Sequence, residues 1–336
     1  MANLMMDALH EPVTQPRTRA LDLSVLIVTW NSERWIERCL RALPAACDGL
    51  DYEVLIADNA STDATLALVE TSDAQVLRAP SNEGFAKGTN RALHAARGRY
   101  VFLLNPDCEL APRALTQLFD WLERHPHAAG AVPLLLDDGG DSQREFQLRR
   151  LPTLGTFIAE VLLLGKVFPR NRTTARYRYR DLDLTEPRRI EQPAAAALLL
   201  RRDVVDAVGP FDEQFTPAWF EDVDYCRRLA NGRKEIWVVP SAEARHFGGA
   251  SLEHLSFVHF ADIWYANMWR YARKWLRPAQ AEALRWAIIA GMLLRCAAGL
   301  LGLRPEGVAR AEAFRAYAGV LRRAFERWDD SSRSSS

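Results

Sequence analysis

The feature that most restricts this chain is a rhythm in its first hundred residues: short apolar runs, each followed by a polar turn and a helical pattern. Residues 23–30 are an apolar run of strand length, read as a buried first strand, and residues 52–57, 75–78 and 100–104 repeat it. Between the first two, residues 33–43 put Trp35, Ile36, Cys39, Leu40 and Leu43 at helical spacing, ending at Pro44. Residues 90–97 read as a further helix. This β-α-β alternation predicts a parallel sheet with right-handed crossovers.

The pattern continues with a helix from Pro112 to Arg124 that lines up Leu115, Leu118, Phe119 and Leu122, then strands at 129–136, 194–201 and 235–239. His125-Pro126-His127 is read as a turn without a chemical role. Residues 144–189 lose periodicity and predict a long excursion over one end of the sheet, either a carrier of lid or acceptor contacts or a solvated connector. Residues 219–229 are helical in spacing, acidic at the start and basic toward the end.

Forty-three basic residues balance forty-three acidic ones, so no electrostatic case exists for nucleic acid as a partner. Five cysteines stand apart with no C-x-x-C pair, which argues against a disulfide framework or structural zinc and fits a reducing cytoplasm. Residues 1–22 lack an apolar core and read as a flexible leader. Residues 286–303 approach the length of a membrane span, yet Arg295 near the middle costs roughly 2.5–3.5 kcal/mol there, which favours an interfacial or packed helix.

Three stretches carry chemistry. In residues 82–90, Gly84 and Gly88 allow close backbone approach, while Asn82, Thr89 and Asn90 offer neutral hydrogen-bonding groups near a helix mouth. Asn105-Pro106-Asp107 follows the fourth strand and sets a carboxylate where a divalent cation meets a diphosphate. In Trp219-Phe220-Glu221-Asp222-Val223-Asp224, aromatic rings stand beside paired acids, an arrangement that seats a carboxylate in a partly apolar wall.

Taken together, Val28-Thr29-Trp30-Asn31, Asp58-Asn59-Ala60-Ser61, residues 82–90, Leu104-Asn105-Pro106-Asp107, Phe220-Glu221-Asp222-Val223-Asp224 and residues 246–251 resemble the family 2 inverting glycosyltransferases, and within them the rhamnosyltransferase-like branch. The resemblance spans about Leu23 to Ser251. It implies a GT-A fold: a Rossmann-like, mostly parallel central sheet flanked by helices, here with a C-terminal helical appendage. Residues 23–252 would form the transferase domain, with 23–108 the nucleotide-binding half and 109–252 the acceptor and catalytic half. Residues 253–328 would form the helical region and 329–336 a disordered tail.

By the same resemblance, Asp58 would accept from a pyrimidine imide, and Thr29 and Asn31 would line the base and ribose pocket. Asn82, Gly84 and Lys87 would lie near ribose and diphosphate, and Asn105 would stand at the first position of a D-x-D-like motif. Asp107 would bind Mg2+ or Mn2+, with His246 completing the shell, a role that suits a neutral imidazole. Asp222 would be the general base, its carboxyl raised by its aromatic neighbours, while Trp219 and Glu221 would contact acceptor. The implied reaction moves rhamnose from dTDP-rhamnose to a saccharide or lipid-linked acceptor of the cell envelope, at the inner face of the cell membrane. A UDP- or GDP-sugar donor, or a non-catalytic binding relative, are the alternatives. Gln192-Pro193-Ala194-Ala195-Ala196 departs from the Ser-Gly-Ala run of such relatives and leaves the sugar's identity open. A nucleotidylyltransferase or a dinucleotide oxidoreductase is disfavoured because no glycine-rich loop follows the first strand.

Overall fold

The computed structural model describes residues 21–168, 170–248 and 255–328; the expected leader (except its last two residues), the 249–251 end of the glycine-rich tail and the 329–336 tail lie outside them. In chain order the elements are β1 (Leu23–Thr29), α1 (Ile36–Ala46), β2 (Tyr52–Asp58), α2 (Thr65–Val69), β3 (Gln75–Arg78), α3 (Phe85–Ala95), β4 (Tyr100–Leu104), β5 (Cys108–Leu110), α4 (Ala114–Arg124) and β6 (Ala128–Leu136). The excursion holds α5 (Arg144–Gln147), β7 (Leu148–Arg149), α6 (Leu154–Val161), α7 (Leu164–Val167), α8 (Arg172–Tyr177) and β8 (Arg188–Ile190). Then come β9 (Gln192–Pro193), β10 (Ala197–Arg201), α9 (Arg202–Val208), α10 (Glu221–Asn231), β11 (Glu235–His246), α11 (Phe257–Trp275), α12 (Pro278–Leu300) and α13 (Arg310–Phe325).

The main sheet has the order β3-β2-β1-β4-β10-β6-β11-β5, with β8 also on β11. β1, β2, β3, β4, β6 and β11 run one way, and β10, β5 and β8 oppose them. The mostly parallel sheet is therefore as expected, with β10 the antiparallel insertion at its centre. Helices cover both faces, which is why β1 and β4 are largely apolar and buried: Val25 and Ile27 enter one cluster and Leu26 the other.

Several boundaries differ from the sequence reading. α1 passes Pro44, because in the last turn the missing N–H removes a single bond and Cys47 N–H still closes on Leu43 O at 2.9 Å. α3 starts at Phe85 rather than 90, so much of the glycine stretch is helix. α10 starts at Glu221 because Trp219 and Phe220 are left-handed, at φ 71° and 74°. β11 does not stop at 239. It pairs Val239 with Pro133 and then Glu243 with Leu134, skipping residues 240–242, and ends on His246 opposite Cys108. Across that irregularity the faces exchange: Ile236 and Val238 pack in one cluster, Ala242 and Ala244 in the other.

The excursion is packed structure along α6, where Phe157 and Val161 join α11, α12, α13, Phe215 and Phe220 in a third cluster. Gly291 lets α12 approach, since a Cβ there would stand 2.7 Å from Val161 O. Arg295 sits at this seam and donates to the carbonyls of Val161 and Gly291.

Asp224 joins α10 to α11. Fully buried, it accepts from Trp275 Nε1 at 2.7 Å and Arg228 Nε at 3.1 Å and pairs with Lys274 Nζ at 2.8 Å. Asp224→Asn leaves two partly solvated cations facing a neutral amide and is expected to cost about 2 kcal/mol, read as a lower urea midpoint.

Candidate active site

Two compartments open beside the carboxyl ends of β1 and β4. The smaller, about 110 Å³, is walled by Thr29, Trp30, Asn59, Asn82, Asn105 and Asp107 among others. The larger, about 550 Å³, holds Asp222 and Glu221 among aromatic walls that include Phe157, Phe220, Trp264 and Tyr177. Phe85, Asn105, Ala218 and Trp219 belong to both, so the two spaces share a wall.

The β1 and β2 ends are tied to each other. Thr29 Oγ1 donates to Asp58 Oδ1 at 2.9 Å, and Ser61 donates to Asp58 from its hydroxyl at 2.6 Å and its N–H at 3.0 Å. Asn31, left-handed at φ 50°, accepts from Thr62 N–H at 2.8 Å. Asn31, Asp58, Gly84 and Lys87 are not on the walls of either compartment, whereas Thr29, Asn82 and Asn105 are.

The glycines of residues 82–90 serve the protein's own packing. Gly84, at φ 89°, lies against Pro217, where a Cβ would meet the carbonyl oxygen at 2.7 Å, and Gly88 lies against Val28. Phe85 N–H donates to Pro217 O at 2.7 Å, and Asn90 holds Phe211 through both ends of its amide. Lys87 is exposed and paired with Glu83 at 2.6 Å. A glycine pair beside a helix reads alike in sequence whether it admits a ligand or a neighbouring backbone.

Asp107, Cys108 and His246 form one cluster, their ligand atoms within 4.8 Å of one another. His246 Nε2 is 3.6 Å from Asp107 Oδ2, too long for a hydrogen bond and short enough for one ion to touch both. Gln143 Nε2 donates to His246 O at 2.7 Å, which leaves Gln143 Oε1 facing His246 Nδ1 at 2.8 Å. Nδ1 therefore carries the proton, and the Nε2 lone pair faces Asp107. Burial holds the imidazole below its ordinary pKa and so neutral, although the Asp107 charge opposes this. Asp107 Oδ1 is buried without a hydrogen-bond partner among the described residues. Burial raises the Cys108 thiol well above its usual range, and Sγ faces Ala196 O at 3.4 Å. Asp107 and His246 thus fit a hard divalent cation, and Cys108 does not.

Asp222 is the second residue of α10 and partly exposed to the larger compartment. Burial raises its carboxyl; the Val223 N–H, at 2.7 Å, and the Arg149 charge pull it back. Glu221 is buried, with Oε2 unpartnered among the described residues, and is raised well above the ordinary range by desolvation and then by the Asp222 charge. Burial thus pushes both carboxyls upward, with the Asp222 charge adding to the shift at Glu221.

Sequence reasoning missed the residue that holds this segment. Asn267, fully buried on α11, donates to Ala218 O at 2.8 Å and Trp219 O at 3.0 Å. A lone amide among the aromatics of that helix was the available signal. Trp219 is further held edge-on by Phe260, 5.0 Å between centroids.

The pattern of glycosyl transferase family 2 matches residues 24–207. An N-acetylglucosaminyl-diphospho-decaprenol L-rhamnosyltransferase of Mycobacterium tuberculosis is 31% identical over 295 residues, covering 81% of this chain and 91% of the relative. The rhamnosyltransferase WbbL of Escherichia coli K12 is 24% identical over 74% of this chain and 92% of its own. Among solved structures, GalNAc-T7 with UDP, GalNAc and Mn2+ shares the fold, with a TM-score of 0.52 at 14% identity over 92% of this chain and 56% of the other. The match over more than half the sequence, together with a mycobacterial relative aligned nearly end to end, makes this chain a member of glycosyl transferase family 2, a glycosyltransferase.

Proposed function

We propose that the protein transfers rhamnose from dTDP-rhamnose to a lipid-linked saccharide, with inversion, in cell-envelope polysaccharide synthesis. The observation that carries this reading is the shared wall: Asp107 lines one compartment, Asp222 the other, and Asn105 and Trp219 face both. The mycobacterial relative, an N-acetylglucosaminyl-diphospho-decaprenol L-rhamnosyltransferase, supports the sugar and the acceptor class.

In this reading the smaller compartment takes the donor's diphosphate and nucleoside, with Thr29, Asn82 and Asn105 in contact and Asp58, Asn31, Gly84 and Lys87 around it. Asp107 and His246 hold Mg2+ or Mn2+, which when bound offsets charge growing on the leaving diphosphate. Gln143 fixes the His246 tautomer from behind. Asp222 takes the proton of an acceptor hydroxyl as its oxygen bonds to the anomeric carbon and the carbon–phosphate oxygen bond breaks from the opposite face. Trp219 and Glu221 line the acceptor's approach.

Asp222→Asn is expected to keep donor affinity, measured by saturation-transfer NMR, and to lower kcat by at least about 100-fold. Because the Asp222 carboxyl is raised, it gains its proton as pH falls while still above the ordinary aspartate value of 3.8, so the acid limb of kcat/KM lies above that value. Failure to bind or turn over any of a dTDP-, UDP- and GDP-sugar panel with Mg2+ or Mn2+ overturns the reading. Gln143→Leu should weaken Mn2+ binding, followed by electron paramagnetic resonance, by about 10- to 100-fold while sparing the fold.

The acceptor class also gives the C-terminal helices a partner. α12 is long and apolar enough to cross a membrane by length and composition, yet one face is packed and Trp286, Leu293, Leu294, Leu300, Leu301 and Leu303 are exposed on the other side and beyond its end. Arg304 and Arg310 flank this ridge. Peripheral contact with an anionic cytoplasmic leaflet follows from apolar area beside positive charge. Replacing Leu300, Leu301 and Leu303 by Ser should abolish co-sedimentation with phosphatidylglycerol vesicles without changing turnover of a soluble acceptor; unchanged sedimentation rejects the contact.

A further inference from the structure

Besides Glu221, two residues that line the larger compartment each keep a buried polar atom with no hydrogen-bond partner among the described residues, Arg149 Nε and Gln192 Oε1. They are neighbours by construction. Arg149 and Gln192 are direct partners in the antiparallel β7–β9 ladder, so their side chains rise from the same face of that ribbon. Gln192 Nε2 donates to Pro193 O at 3.2 Å, which fixes the amide and leaves its oxygen as the free end. Arg149 and Gln192 line the same compartment as Asp222 and Tyr177.

One donor and one acceptor, buried together and unanswered, match a ligand group that both accepts and donates. A diphosphate near neutral pH is anionic and offers only acceptors, so Gln192 Oε1 and the Asp222 carboxylate would be unfavourable neighbours. A sugar substituent meets no such conflict. We propose that Arg149 and Gln192 form a specificity pair that reads a hydroxyl or acetamido substituent of the acceptor sugar, next to the hydroxyl that attacks. This rests on the reading of the larger compartment as the acceptor site.

The test uses the full chain with farnesyl-diphosphate-linked N-acetylglucosamine and its glucose counterpart, measuring acceptor KM, kcat, and donor hydrolysis without acceptor. Gln192→Met is expected to raise KM for the better acceptor about tenfold and shrink its preference over the other, with donor hydrolysis unchanged. Gln192→Glu, which keeps an acceptor oxygen at that position, should restore much of the preference, and Arg149→Lys, which keeps charge but loses the fork, should not. Wild-type transfer with unchanged acceptor KM and preference in Gln192→Met and Arg149→Lys overturns the pair alone. Wild-type protein that neither binds nor hydrolyses a sugar nucleotide overturns the pair together with the transferase reading. If Gln192→Met does not fold, the Arg149→Lys preference decides.

Discussion

The site depends on one backbone hydrogen bond, from Phe85 N–H to Pro217 O at 2.7 Å. It joins the start of α3, beside the smaller compartment, to the segment that carries Asp222, more than a hundred residues later. Only a residue without a side chain fits beneath it at position 84. The same segment then takes two left-handed steps at Trp219 and Phe220, conformations that cost roughly 1–2 kcal/mol each for residues with a Cβ. Asn267 offsets that cost by bonding the carbonyls exposed there, and Phe220 buries its ring against Phe157 and Tyr271. Strain at the approach to α10 is thus balanced by contacts from α3 on one side and α11 on the other.

Burial does the electrostatic work beside Asp107 and beside Asp222, and with opposite uses. Around His246 it disfavours a positive charge, leaving a lone pair beside Asp107. Around Glu221 and Asp222 it disfavours negative charge and raises both carboxyls. Asp224, two residues on, has cations and an indole N–H for partners and binds helices together. Three acids in four positions, equivalent as helix-start acids in sequence, separate into a buried wall, a base candidate and a structural tie because each meets different surroundings.

The strands of the first half were legible because continuous apolar runs have few alternatives to burial between two helical layers. That Asp107 follows a buried strand and that Asp222 stands at a helix start was legible from their flanking residues, although their partners were not. Gln143 reaches His246 across 103 positions and Asn267 reaches Trp219 across 48, separations over which spacing says nothing. The start of α3 was hidden because Gly84 supplies no side-chain cap, and its glycine looked like a ligand loop. The far half of β11 was hidden because Pro240-Ser241 imitates a strand end and Ala-Glu-Ala-Arg has the composition of a helix.

That strand also encodes where His246 stands beside Asp107 and Cys108. Side chains alternate along a strand, so the three skipped residues between Val239 and Glu243 act as a parity switch: an odd number inverts the alternation, an even number preserves it. Positions 236 and 238 face one cluster while 242 and 244 face the other, and His246 inherits the inverted phase opposite Cys108. The imidazole's place beside Asp107 is therefore held by the pairings beyond the irregularity, where Glu243 to Arg245 meet Leu134 to Leu136 and His246 meets Cys108. The odd count lets both halves of one strand keep their partners while His246 takes the face shared by Ala242 and Ala244.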